Sequence, residues 1–130
     1  MGGSDGQKRL RKAMRNLVTR GYERELSKAL SDLEASFRTW REGTITCFQL
    51  SDLIHEHHDG VSRDLWKKYG FHAEVLLPGL VASGVILESE VPEELLATMQ
   101  QKIRGIREFQ ENRSQEPETT TDPGSNEDQE

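Results

Sequence analysis

A disulfide cannot close within this chain, because Cys47 is its only cysteine. The fold must hold without covalent staples, and the composition suits a reducing compartment. Long apolar runs are missing too. The most apolar stretch, Val75 to Leu87, is broken by Pro78 and is too short to cross a bilayer. The N-terminus lacks the apolar segment of a secretory signal. The opening MGGSDG has Gly6 where a myristoylation pattern wants Ser or Thr. No membrane span is expected, and a soluble cytoplasmic protein is. Recognised catalytic patterns are absent as well. There is no phosphate-cradling glycine loop, no GxSxG elbow and no ordered Ser-His-Asp set. The expectation leans against an enzyme, and no cofactor is expected.

Hydrophobic residues make up only 33% of the 130, which is low for a globular chain. They are concentrated, however. Residues 26–109 hold 36 of them and the two ends hold seven, so the middle must form the core. Charge is segregated in the same way. Residues 1–24 carry a net +5, residues 25–112 a net −6 and residues 113–130 a net −5. An acidic whole argues against indiscriminate nucleic-acid binding, but a local basic arm is still able to bind.

What is present reads as helix. Residues 1–6 are glycine-rich and predict disorder. From Gln7, the residues Leu10, Met14, Leu17 and Val18 recur at helical spacing between Lys and Arg, giving a basic amphipathic helix over 7–21. Gly21 interrupts. Leu26, Leu30, Leu33, Phe37 and Trp40 then follow in steps of four and three, in a different phase. Either two helices meet at Gly21 or one long helix changes its buried face. Gly43 fits a closing glycine. Thr46 and Gln49 form a capping box, with Ile45 and Leu50 as its hydrophobic staple. A helix over 47–59 follows, ended by Gly60. A short helix over 62–69 comes next, and another over 72–83 that Pro78 must delay or kink. The last helix opens with Pro92, Glu93 and Glu94 and carries Leu96, Met99, Ile103 and Ile106 before fading near Asn112. Residues 113–130 contain no large apolar residue and predict a disordered acidic tail. The fold expected is all-α, a small bundle of about five or six helices, with residues 22–112 as its helical domain. The stripes Leu26–Trp40 and Leu96–Ile106 are its expected long core helices.

One stretch invites a chemical reading. HEHHDG, residues 55–60, holds three of the four histidines. It fails the HExxH pattern, because Asp59 stands where the second histidine is needed. With Leu50 at zero and about 100° per residue, His57 points to the apolar face, His58 to its flank and His55 to the polar face. Asp52, His55 and Asp59 share that polar face at steps of three and four. They are the only metal or acid–base candidates, and such spacing also describes ordinary surface pairs. His57 is expected inside, hydrogen-bonded to a carbonyl or carboxylate. Cys47 is expected to be a small core-facing residue at a helix start. SRDLWKKYGFH, residues 62–72, interleaves bases with aromatics as stacking surfaces do, although core aromatics with flanking lysines account for it more simply.

The basic helix supplies the remaining candidates. Lys8, Arg9, Arg11, Lys12 and Arg15 flank an apolar stripe suited to a partner groove, an anionic surface or a phosphate backbone. The functional expectation is a non-catalytic interaction or regulatory module that binds a protein partner or itself. Nucleic-acid binding through the basic helix, or a site on the helix 47–59, are the alternatives.

Overall fold

The computed structural model describes residues 2–115, and these contain helices and turns without strands. Helix α1 runs from Gly2 to Arg41, α2 from Cys47 to Glu56, α3 from Arg63 to Lys68, α4 from Ala73 to Ala82 and α5 from Glu93 to Gln115. A π-helical turn, His57–Ser62, joins α2 to α3 without a break, and a 3-10 turn spans Glu88–Glu90. The described residues therefore form four helical rods rather than five or six separate helices. The acidic segment beyond Gln115 lies outside them.

Two glycines account for the difference. Gly21 does not end a helix: α1 passes straight through it and extends about 60 Å. Glycine inside a helix costs only about 1 kcal/mol relative to alanine. Here the missing side chain makes room. A Cβ at position 21 would lie 3.1 Å from the Leu80 side chain and 3.2 Å from the Tyr69 hydroxyl. So one long helix changes its buried face where α4 and Tyr69 press against it. Helix α1 also starts at Gly2, ahead of the sequence expectation. Gly60 likewise fails to stop α2, because the π turn carries the chain through it.

Local capping follows the sequence closely. The Thr46 hydroxyl accepts from the Gln49 N–H at 3.1 Å, and the Gln49 side chain accepts from the Thr46 N–H at 2.8 Å. Gly43, with φ 82°, closes α1. Its N–H donates to Trp40 and that of Thr44 to Thr39, the two bonds of a Schellman ending. Gly84, with φ 85°, closes α4, its N–H bonded to Val81. Pro78 neither delays nor ends α4, which begins at Ala73.

The core lies elsewhere than the stripes suggest. Leu77, Pro78, Leu80 and Val81 of α4 are all buried. A helix that is apolar on most sides needs neighbours on both. The N-terminal half of α1 covers one side with Leu17 and Val18, and α5 covers the other with Leu95, Met99 and Ile103. Leu10 and Met14 pack against the edge of this cluster. So the basic helix is built into the core, and the Leu26–Trp40 stripe is not. That stripe faces α2 and the π turn, where Leu50 is the one buried side chain.

The loop between α4 and α5 is tied down by charge. Arg24 donates to the Val85 carbonyl at 2.8 Å and grips Glu90, which also pairs with Arg20. Arg107 of α5 pairs with Glu88 on the other side. The Arg24 side chain, then the Leu87 N–H, pull the Glu90 carboxyl from about 4.5 down to about 2. A depressed carboxylate stabilises the fold above its ordinary pKa and loses that contribution as pH falls through the folded value. Glu90→Gln should therefore lower stability at neutral pH. The gap to wild type should shrink between pH 4.5 and pH 2. Urea unfolding across that range is the check; a gap independent of pH would contradict the clamp.

Candidate functional site

HEHHDG straddles the end of α2 and the start of the π turn: His55 and Glu56 belong to the helix, and His57 to Gly60 to the turn. An i→i+5 turn takes up one more residue than an α turn. In a straight α-helix the face of Leu50, His57 and Val61 would continue through Asp64 and Lys68. The additional residue moves the face on by one, so Leu65 and Tyr69 turn toward α1 instead. Both are half-buried. Asp52, His55 and Asp59 are all exposed. Among the described residues, no group of three His, Cys, Asp or Glu is placed to hold a metal ion.

The three histidines indeed part company. His55 faces solvent. His57 borders a shallow groove of about 310 Å³ between α1 and α2, beside Leu33, Leu53 and Val61 and between Asp32 and Glu56. It is half-buried rather than enclosed, so water reaches its ring and no internal partner is required. His58 is exposed and borders a different groove with Tyr22, Asp59 and Trp66. Cys47 is exposed rather than core-facing; Leu50, one turn on, takes the buried position.

The expectation of core aromatics in residues 62–72 holds for one side chain and fails for two. Tyr69 stacks flat on Tyr22, with ring centroids 4.6 Å apart and planes 4° apart. Its hydroxyl donates to Glu25, which also takes 2.9 Å contact from the Lys68 ammonium. Burial first, and the Glu25 bond second, push the Tyr69 hydroxyl well above its ordinary pKa of 10. Tyr69 therefore remains a proton donor at neutral pH. Trp66 and Phe71, by contrast, are 69% and 64% exposed. Glu25 had no sequence signal of its own, since its role depends on Tyr69 arriving 44 residues later.

The basic candidates Lys8, Arg9, Arg11, Lys12 and Arg15 are all exposed. Among the described residues none of them pairs with a carboxylate. Their apolar stripe is occupied by the core, so only their charged face is open. Two other surfaces stay apolar. One is a groove of about 510 Å³ between α4 and α5, with Val75, Ile106 and Phe109 in its wall. The other is the two-helix arm formed by the C-terminal half of α1 with α2 and the π turn after it, where Leu30, Trp40, Phe48, Ile54 and Val61 are exposed. Among the described residues, no helix is long and apolar enough to cross a membrane. No protein-family model, curated protein or solved structure matches this chain.

Proposed function

We propose that this chain is a non-catalytic helix-packing module that pairs with a second copy of itself through the two-helix arm. One observation carries the reading: residues 26–40 present an apolar stripe at heptad spacing, yet a single side chain of the two-helix arm, Leu50, is buried. An amphipathic helix is stabilised mainly by covering its apolar stripe. Two helices alone leave half of that stripe wet. Steps of four and three along Leu26, Leu30, Leu33, Phe37 and Trp40 suit the packing of nearly parallel helices. Two arms related by a two-fold axis make four helices, and each arm then covers the other's exposed Leu30 and Trp40. A two-fold pairing is also the commonest closed assembly. The working compartment is proposed to be the cytoplasm, because the lone thiol of Cys47 stands in solvent and suits a reducing environment.

The test is oligomeric mass. Light scattering at micromolar concentration should return twice the 14.8 kDa of one chain. Leu30→Glu with Trp40→Glu should return a single chain while the helical circular dichroism is kept, because both side chains are exposed in one copy. A wild-type chain that stays monomeric overturns self-pairing. A monomer that acquires mass only with a foreign amphipathic helix would assign the arm to another partner.

A further inference from the structure

Trp66 and Phe71 belong to a surface that self-pairing does not use. With Tyr22, Tyr69 and Gly70 they line an open, mostly apolar groove of about 500 Å³, and Lys67 stands in its wall. Arg63 flanks Trp66 on the other side. Aromatic rings gathered around one groove often receive a cation. The neighbouring charges decide against that here. Lys67 and Arg63 border the rings, and the Lys68 ammonium sits 5.4 Å from the Tyr69 ring centroid. A cationic ligand would meet the like charges of Lys67 and Arg63, while Lys68, paired with Glu25, already covers the Tyr69 ring. An anionic ligand with flat faces satisfies both the rings and the charges.

The basic residues of α1 continue this surface. At about 100° per residue, Lys8, Arg11, Arg15 and Tyr22 fall within about 60° of one another. Arg11 and Arg15 border a small cleft with His72, which follows Phe71 in the chain. The result is one strip. Positive charge runs along α1 for about 10 Å, from Lys8 to Arg15; the aromatic groove, Lys67 and Arg63 follow. Two carboxylates interrupt it: Glu74 borders the cleft and Asp59 lies near Arg63. Glu25 is already engaged by Tyr69 and Lys68.

We infer that this strip binds single-stranded nucleic acid. Bases stack on Trp66 and Phe71, and Lys8, Arg11, Arg15 and Lys67 hold phosphates. A single strand offers unpaired bases and a regular line of negative charge, the two features the strip complements. A duplex hides its base faces, and an acidic polypeptide would use the charges while leaving the rings idle.

The test uses the full chain and a fluorescein-labelled mixed-sequence oligonucleotide, DNA and RNA in separate arms, read by anisotropy. Either strand should bind more tightly than its duplex, with affinity falling as salt rises. Trp66→Ala should weaken binding about five- to hundredfold. Arg11→Ala with Arg15→Ala should reduce the slope of log affinity against log salt by about 1.4. Phe109→Ala, an equally exposed aromatic in the groove between α4 and α5, should change nothing. The inference is overturned by no binding at low salt, by equal affinity for duplex, or by a Trp66→Ala variant that binds normally. It is also overturned if polyglutamate displaces the oligonucleotide as well as an unlabelled strand does, which would assign the strip to acidic polypeptides. Unchanged circular dichroism keeps loss of folding from imitating loss of binding.

Discussion

Leu77→Ala lowers the stability of the fold by about 2–5 kcal/mol, the range for emptying a leucine site in a packed core. Leu77 is completely buried, in the middle of the helix that both α1 and α5 cover. Collapse around the hole is restricted, because Leu80, Val81 and Ile86 beside it are buried to 2% exposure or less. A domain of ordinary stability has about 5–15 kcal/mol in total, so this one truncation removes a large share. The comparison that matters is with Leu30→Ala. Leu30 is 49% exposed in one copy of the chain, and truncating an exposed side chain changes stability by about 0.5 kcal/mol or less. Urea unfolding at several protein concentrations separates the two. The Leu77 loss should be the same at every concentration. Any Leu30 loss should appear only where chains pair, since association adds stability by mass action. If Leu30→Ala cost as much as Leu77→Ala in dilute solution, the core would lie in the arm and not around α4.

That comparison also marks what the sequence reveals. Endings are legible because their causes are local. Thr46 and Gln49 are three residues apart and satisfy each other, and Gly43 needs only its own positive φ. The location of the core is not legible in this way. Leu26 to Trp40 is the cleanest stripe in the chain, and periodicity shows that a helix has an apolar face. It does not show what covers that face. The deciding feature is α4, whose run of apolar residues needs two covering helices. Leu17 and Val18 meet that need because their basic neighbours point outward, so a helix that reads as a peripheral arm becomes half of the core.

The candidate site was distorted by one turn. Gly60 looks like a stop, and an i→i+5 turn leaves no period of its own in six residues. With the stop assumed, Asp52, His55 and Asp59 line up and Trp66 goes inside. With the π turn, Leu65 and Tyr69 face α1 and Trp66 stands exposed, and among the described residues Asp52, His55 and Asp59 form no group placed to hold a metal ion. Three histidines in four positions drew attention to metal chemistry. What that stretch builds instead is the π turn that leads into α3, where Leu65 and Tyr69 are half-buried against α1.

Gly21→Val should cost nearly as much as the loss of Leu77, although it adds atoms instead of removing them. The position is buried, and a Cβ there already stands 3.1 Å from Leu80 and 3.2 Å from the Tyr69 hydroxyl, with Val85 at 3.5 Å. Leu80 is enclosed at 2% exposure and has nowhere to move. Tyr69 is held by its stack on Tyr22 and its bond to Glu25. Alanine should nevertheless be nearly neutral, because about 1 kcal/mol of helix propensity offsets the tight contact. Valine adds two methyl groups and restricts χ1 in the helix. Overpacking of this kind costs about 1–3 kcal/mol. Expelling the Tyr69 hydroxyl from Glu25 forfeits about 1.5–3 kcal/mol more, the range for a hydrogen bond to a charged group. Two measurements check the mechanism together. Urea unfolding should show Gly21→Ala close to wild type and Gly21→Val well below it. Alkaline absorbance titration should show one tyrosine of the valine variant ionising nearer the ordinary value of 10, since the displaced hydroxyl gains water and loses its carboxylate. If valine were accepted without loss, with the tyrosine titration unchanged, α1 would have room at Gly21. Some cause other than close approach would then be needed for a glycine in the middle of a 40-residue helix.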